Sequence, residues 1–291
     1  MKKVFKITGW AILIIIVFAI GFGTYIYQTN DMIRASINND ESKLYYFPTK
    51  ELADLSDFQV NEIELKISNK VSVFNYHFKP ITDNLHAKVF LIHGAGGNAT
   101  TYKELIRPLV ENGFEVYAVD WRSYGKSNGT PNYKNVLSDT QKSFIDYKKR
   151  TKNDSLKTII YGMSLGGQVA VKIALDNEKK IDALVLDGSI PSAQQMAIDY
   201  APMSFMKQRA MKHSEKFNQD YVAIRDISKI KNTPKLIIHS VNDYEVLFKH
   251  GENLYQQAQE PKEFWNTDTN HIMTLADYPT ETIEKIKGII R

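Results

Sequence analysis

The sequence predicts an α/β fold: a mostly parallel sheet with helices on both faces, led by two antiparallel strands and preceded by one apolar helix. Three observations carry that expectation. From Val89 onward, short apolar runs alternate with helix-length segments, as in a sheet built from strand–helix repeats. Residues 58–78 instead alternate apolar and polar about a polar turn, as hairpin strands do. Ahead of both, residues 7–30 carry no charge.

The N-terminal element is basic, then apolar. Lys2, Lys3 and Lys6 precede a stretch, 10–27, that is almost wholly apolar. A helix needs about 20 such residues to cross about 30 Å of hydrocarbon. Trp10, Tyr25 and Tyr27 stand at its two ends, where amphipathic rings favour the headgroup layer. A cleaved signal peptide would have a shorter apolar core and a small-residue cleavage site. No A-x-A-like site occurs between Phe22 and Arg34. The expectation is an uncleaved transmembrane signal anchor over residues 1–30, single-pass in the cell membrane. By the positive-inside rule its lysines stay cytoplasmic and the bulk of the chain lies on the extracytoplasmic side.

Residues 31–56 are mixed and charged and read as a tether with a short helix; 57–291 reads as the folded domain. About 260 residues are ample for a sizeable core. Of 37 basic and 33 acidic residues, the anchor takes three lysines and no acid, which leaves 34 against 33, a net of +1. So neutral a domain gives no electrostatic reason to expect nucleic acid. There is no cysteine, which excludes disulfides, a thiol nucleophile and a lipoprotein-type lipid anchor.

The elements follow in order. Phe58, Val60, Ile63, Leu65 and Ile67 lie before the turn Ser68-Asn69-Lys70, and Val71, Val73, Phe74, Tyr76 and Phe78 after it. Val89-Phe90-Leu91-Ile92 is a continuous apolar run, as in a strand buried on both faces. Then come a strand at 114–119, a helix at 133–150, a strand at 158–161 and a helix at 165–176. Strands at 183–186 and 235–239, a helix at 246–258, a short strand at 262–265 and a closing helix at 277–290 complete the chain. Between Ile190 and Pro234 the rhythm breaks. Met196, Met203, Met206 and Met211 lie there among polar residues in short helical segments, read as a cap at about 191–233 above the sheet.

Gly162-Met163-Ser164-Leu165-Gly166 is weak as a bare G-x-S-x-G pattern. Its context gives it weight, because an apolar run precedes it and a helix follows, as a nucleophile elbow requires. The backbone at such a serine is strained, so its neighbours two residues away must lack side chains. The helix that follows turns its N-terminus toward a developing oxyanion. A serine hydroxyl needs a base at neutral pH, and in this architecture the order is serine, acid, histidine. Of the histidines that follow, His239 sits in an apolar strand and His250 in mid-helix. His271 lies in a polar loop between the last strand and the last helix, where loops carry catalysis, and is the expected base. Asp243, after the strand at 235–239 and 28 residues before His271, is the favoured acid; Asp187, after the preceding strand, is the rival.

An oxyanion hole needs two backbone N–H groups. One is expected from Leu165 and the other from the loop His93-Gly94-Ala95-Gly96-Gly97-Asn98, whose glycines let backbone approach a ligand. That loop lacks the spacing of a nucleotide-binding turn. His93 precedes Ser164, out of order for a base, and reads as structural. No HExxH and no clustered His/Asp set occurs, so neither a metal nor another cofactor is implied.

Taken in order, these motifs resemble the α/β-hydrolase superfamily over about 58–290. The branch most similar is that of bacterial membrane-anchored serine hydrolases related to depalmitoylases and lipid hydrolases. His93-Gly94-Ala95-Gly96-Gly97-Asn98 resembles the oxyanion loop, and Gly162-Met163-Ser164-Leu165-Gly166-Gly167 the elbow. Asp120-Trp121-Arg122-Ser123-Tyr124-Gly125-Lys126-Ser127 resembles the family's D-x-R-G-x-G-x-S loop. Asn242-Asp243 with His250-Gly251, then Asn270-His271, resemble the acid and base loops. The chain departs from the pattern at Ser123, where glycine is usual, and at Leu247, where a proline often follows the acid. It also has no glycine before His271.

The resemblance implies an eight-stranded-type sheet, mostly parallel, with a short helical cap. It implies a Ser164–Asp243–His271 triad, with oxyanion N–H groups from Ala95 and Leu165 and an oxyanion loop that includes His93, Gly94 and Gly96. It further implies cleavage of acyl esters or thioesters through a covalent acyl-enzyme. The methionine-bearing cap suits an irregular apolar ligand, and the anchor holds the site near a bilayer. An acyl ester or lipid-like small molecule is the expected substrate. A serine aminopeptidase-like peptidase and a non-catalytic binding protein on the same fold are the alternatives.

Overall fold

The computed structural model describes residues 2–38, 40–151, 155–201 and 203–291. Met1 and Asn39 of the expected anchor and tether, and Pro202 of the expected cap, lie outside the described residues. The chain divides into two units, Met1–Tyr46 and Phe47–Arg291. The first contains helix α1, Lys2–Thr29, followed by short helices Asp31–Asn38 and Glu41–Leu44. The window Ile12–Thr29 of α1 has a mean hydropathy of 1.9 and none of it is buried. Its 18 residues extend about 27 Å at about 1.5 Å each, enough by length and composition to cross a bilayer.

The second unit is an eight-stranded sheet. Its strands are β1 Val60–Ser68, β2 Val71–Phe78, β3 Ala87–Ile92, β4 Phe114–Val119, β5 Lys157–Met163, β6 Ala183–Asp187, β7 Lys235–Ser240 and β8 Lys262–Thr267. The spatial order is β1-β2-β4-β3-β5-β6-β7-β8. β1 pairs antiparallel with β2 and β2 with β4; the other pairs are parallel. Every residue of β3 and β6 is buried, as their unbroken apolar runs require of strands covered on both faces.

Helices cover both faces. α2 Lys103–Glu111 packs with the short helix Thr274–Asp277. On the other face α3 Tyr133–Arg150 packs with α4 Leu165–Asp176. Between β6 and β7 the chain forms α5 Ala193–Asp199, α6 Ser204–Lys212 and α7 Ala223–Asp226. Helix α8 Lys249–Gln257 follows β7, and α9 Pro279–Ile289, which packs against α2 and β7, closes the chain.

Two departures from the sequence reading have plain causes. Pro108 lies inside α2, and a proline there masks a helix whose Leu105, Ile106, Leu109 and Val110 are all buried. Residues 47–56 show no periodicity, yet they pack with the second unit. Phe47–Pro48 pairs with Gly96–Gly97, and Ala53 N–H donates to Thr100 Oγ1 at 2.9 Å.

The order of strands places the site. After β3 the chain goes to β4 on one side, then returns to β5 on the other. Ligands bind outside the carboxyl ends of the strands at such a reversal. The loops that leave β3 at His93 and β5 at Ser164 meet there, in register at Ile92 and Gly162.

Candidate active site

Ser164 stands between β5 and α4 at φ 52, ψ −121. This lies outside the regions an L-residue ordinarily adopts. Crowding explains the flanking glycines. A Cβ on Gly162 would lie 2.4 Å from Ala170 Cβ, and one on Gly166 would lie 2.2 Å from His93 O. The turn is held on both sides. Ser164 N–H donates to Asp187 O at 2.9 Å, and Ser164 O accepts from Gly167 N–H at 3.0 Å and Ile190 N–H at 3.2 Å.

The oxyanion loop faces this serine: a Cβ on Gly94 would lie 3.2 Å from Ser164 Cβ. Gly94 N–H donates to Tyr102 Oη at 3.0 Å, and the Tyr102 hydroxyl donates to Gly96 O at 3.3 Å. Ala95 O accepts from Phe47 N–H at 2.8 Å and from the Tyr124 hydroxyl at 2.5 Å. With its carbonyl so held, Ala95 keeps its N–H without a hydrogen bond among the described residues. Leu165 opens α4, so its N–H has no partner within the helix. Burial pushes the Tyr102 phenol up to about 12, against the Gly94 N–H bond, so it remains a donor.

His93 is fully buried. Its Nδ1 lies 2.7 Å from Gly94 O and its Nε2 3.2 Å from Asp120 Oδ1, which also accepts Ala99 N–H at 2.6 Å. The rings of Tyr102, Trp121 and Tyr124 enclose it. Sequence reasoning found Asp120 and Tyr124 as motif letters without their partners; Tyr102 carried no signal. Ser123, in the place where glycine is usual, takes φ 72.

His271 Nδ1 lies 2.6 Å from Asp243 Oδ2. Asp243 is buried, and its Oδ1 accepts Glu245 N–H at 2.9 Å and Val246 N–H at 2.8 Å. Burial opposes a charge on His271, but the bond and charge of Asp243 outweigh it and raise the imidazole pKa. Burial likewise pushes the Asp243 carboxyl up, and the bond and charge of His271 together with the Val246 N–H bond and the His239 charge more than reverse it. The base loop has no glycine, and its turn falls after the histidine instead, with Ile272 at φ 55.

The structure brings Asp243, and not Asp187, into a hydrogen bond with His271. Asp187 is buried and accepts from the Tyr161 hydroxyl at 3.0 Å. Burial pushes its carboxyl up to about 7, against the Tyr161 bond and the His271 charge. The residue that follows it lies beside His271, since a Cβ on Gly188 would sit 3.0 Å from the His271 ring. The other histidines after Ser164 are engaged elsewhere. His239 Nε2 lies 2.7 Å from Val246 O, and His250 Nε2 lies 2.8 Å from Asp199 Oδ2. Among the described residues no cluster of His, Asp and Glu could hold a metal ion. A cavity of about 400 Å³ beside the cap helices is lined by apolar Pro191, Ile198, Met211, Val222 and Ile224 and by polar Ser192, Gln194, Gln195, His250 and Asn253.

A family model, Hydrolase_4, described as serine aminopeptidase S33, matches residues 83–232, more than half of the chain. The chain belongs to this α/β-hydrolase family. Its relatives include the uncharacterized protein YfhR of Escherichia coli K12, 25% identical over 270 residues, 91% of this chain and 88% of YfhR. Protein bem46 of Schizosaccharomyces pombe is 26% identical over 196 residues, 67% of this chain and 64% of bem46. Two solved structures share the fold. The esterase Pf2001 of Pyrococcus furiosus superimposes with a TM-score of 0.64 at 20% identity, covering 84% of this chain and 96% of its own. An α/β-hydrolase of Vibrio vulnificus gives 0.67 at 20% identity, over 87% and 93%.

Proposed function

We propose that this hydrolase cleaves acyl esters or thioesters by way of a covalent acyl-enzyme. Ser164 Oγ attacks the acyl carbonyl while His271 Nε2 takes its proton. His271 then protonates the leaving alcohol or thiol, and water releases the acyl group by the same route in reverse. Asp243 orients the imidazole and stabilises its charged form. The N–H groups of Ala95 and Leu165 stabilise the oxyanion. The observation that carries the reading is the 2.6 Å bond between His271 and Asp243, at the sheet end where the Ser164 elbow opens.

The apolar part of the cap cavity, Ile198, Met211, Val222 and Ile224, favours an acyl chain. The cavity reaches Pro191, next to Ile190, whose N–H bonds the Ser164 carbonyl. Met203, Phe205 and Met211 are exposed on the same cap. The second reading, a peptidase, is favoured by the description of the family model. Helix α1 serves as the membrane anchor in this proposal, with Lys2, Lys3 and Lys6 on the cytoplasmic side and the hydrolase unit outside.

A fluorophosphonate probe tests the chemistry: it should label folded wild-type protein at Ser164 and leave Ser164→Ala unlabelled. A folded wild type that takes no label sinks the proposal. A panel of p-nitrophenyl esters and acyl thioesters of rising chain length, set against aminoacyl p-nitroanilides, should show turnover of the acyl substrates; preference for the anilides would favour the peptidase. Protease added outside sealed spheroplasts tests the anchor: it should digest the hydrolase unit, whereas a cytoplasmic hydrolase unit would stay protected until the membrane is lysed.

A further inference from the structure

The cap reaches the acid loop through one side chain. Tyr200 ends helix α5, its N–H bonded to Met196 O. Its half-exposed hydroxyl lies 2.8 Å from Tyr244 O and 2.9 Å from Glu245 O, one donor shared between two carbonyls. Those carbonyls belong to the peptide units that join Tyr244 to Glu245 and Glu245 to Val246. The N–H groups of the same two units hold Asp243 Oδ1, at 2.9 and 2.8 Å. A peptide unit is planar, so fixing its carbonyl aims its N–H. Bonds at both ends also polarise the unit and strengthen one another.

We infer that Tyr200 is a positioning residue for Asp243: from the cap, it orients the two peptide units that grip the acid and, through the acid, the His271 ring. This rests on the proposed role of Asp243. Neighbouring interactions fix the reach of the hydroxyl. The Asp199 carboxylate, one residue before, lies 2.6 Å from Lys249 Nζ and 2.8 Å from His250 Nε2, and accepts from Gln195 Nε2 at 3.0 Å. Asp199 thereby ties α5 to α8, while the Tyr200 hydroxyl bonds the carbonyls of the peptide units behind Asp243.

Tyr200→Phe removes the hydroxyl and little else. The kcat for a p-nitrophenyl ester should fall by about three- to tenfold, the worth of one modest hydrogen bond, with KM nearly unchanged. The acid limb of kcat/KM should also move to lower pH, because a less firmly held Asp243 raises the His271 pKa less. The other groups acting on that ring are Glu245 of the same loop and Asp187 at the end of β6; His239 also faces it from β7. All of them remain in the variant. Asp199→Asn is the control: it should lower Tm and leave the acid limb in place. An unmoved limb in Tyr200→Phe overturns the inference. So does an equal shift in Asp199→Asn, which would assign the effect to a loosened cap. Either result in an enzyme that labels and turns over sinks this inference alone, whereas a wild type that takes no probe sinks the reading beneath it.

Discussion

His93–Asp120 and His271–Asp243, two histidine–aspartate pairs at the carboxyl ends of the strands, differ in what surrounds them. His93 follows β3 and meets Asp120 after β4; His271 follows β8 and meets Asp243 after β7. Both aspartates are buried; Asp120 accepts the Ala99 N–H, and Asp243 those of Glu245 and Val246. His93, however, is sealed: three aromatic rings enclose it, and its Nδ1 faces its neighbour's carbonyl. His271 is only partly buried, and its Nε2 makes no hydrogen bond among the described residues. The same two residue types thus form a sealed, buried contact in one place and a candidate base in the other. Access to one ring nitrogen makes the difference.

Substitutions can break that contrast. The largest expected effect is on the His271–Asp243 pair. His271→Gln should cost about 10⁶ in kcat, as loss of a triad base does elsewhere. His93→Gln should leave probe labelling of Ser164 intact. If the two variants lose activity equally, the contrast is false. Asp243→Asn should follow, with a loss of about 10⁴ in kcat and little change in Tm, because the amide oxygen can still accept the loop N–H groups. In the wild type, kcat/KM should rise with pH along a limb above the ordinary histidine pKa of about 6.5, since His271 must be neutral to accept the serine proton and its pKa is raised. A wild-type limb at or below that value would mean that Asp243 does not govern the base.

Asp120→Ala should show the reverse balance. It leaves the buried Ala99 N–H without its acceptor, which costs about 1–3 kcal/mol. At about 2–4 °C per kcal/mol for a domain of this size, Tm should drop visibly while labelling persists. The smallest effect concerns Asp187, a buried aspartate outside both pairs. Asp187 has a folded-state pKa of about 7 against an ordinary 3.8. Between those values the unfolded chain releases the proton that the folded chain keeps, so this group's penalty to stability grows as pH rises from about 4 to 7 and is full above that. Asp187→Asn should therefore raise Tm at pH 8 and gain progressively less toward pH 4. A pH-independent change in Tm would refute that assignment.

Much of this could be read before any coordinates. Strands and helices after Val89 were legible because each is a contiguous pattern of period 2 or 3.6, or an unbroken buried run. Helix α2 was not, because Pro108 argues locally against a helix that packing on the sheet nevertheless supports. Residues 47–56 were not, because backbone pairing with Gly96–Gly97 needs no side-chain pattern. The same holds for Tyr102, Tyr124 and Tyr200. Each acts through a hydroxyl on a main-chain oxygen or nitrogen, and no residue type at the receiving end marks such a contact.

By itself, the sequence determined the local parts: an apolar stretch long enough to span a bilayer, the order of strands and helices, and the elbow at Ser164. Gly162 is demanded by Ala170 on the helix that follows, a local need, whereas Gly166 is demanded by His93 O, which the sheet brings beside it. The serine, acid and base candidates were also fixed in order along the chain. Only the tertiary structure decided which partners meet. It joined His271 to Asp243 across 28 residues and Tyr200 to the acid loop across 44. It sealed His93 among rings and left Asp187 with Tyr161. The physical reason is reach. Periodicity and steric need act over a turn or two of chain, whereas these hydrogen bonds depend on which strands the sheet sets side by side.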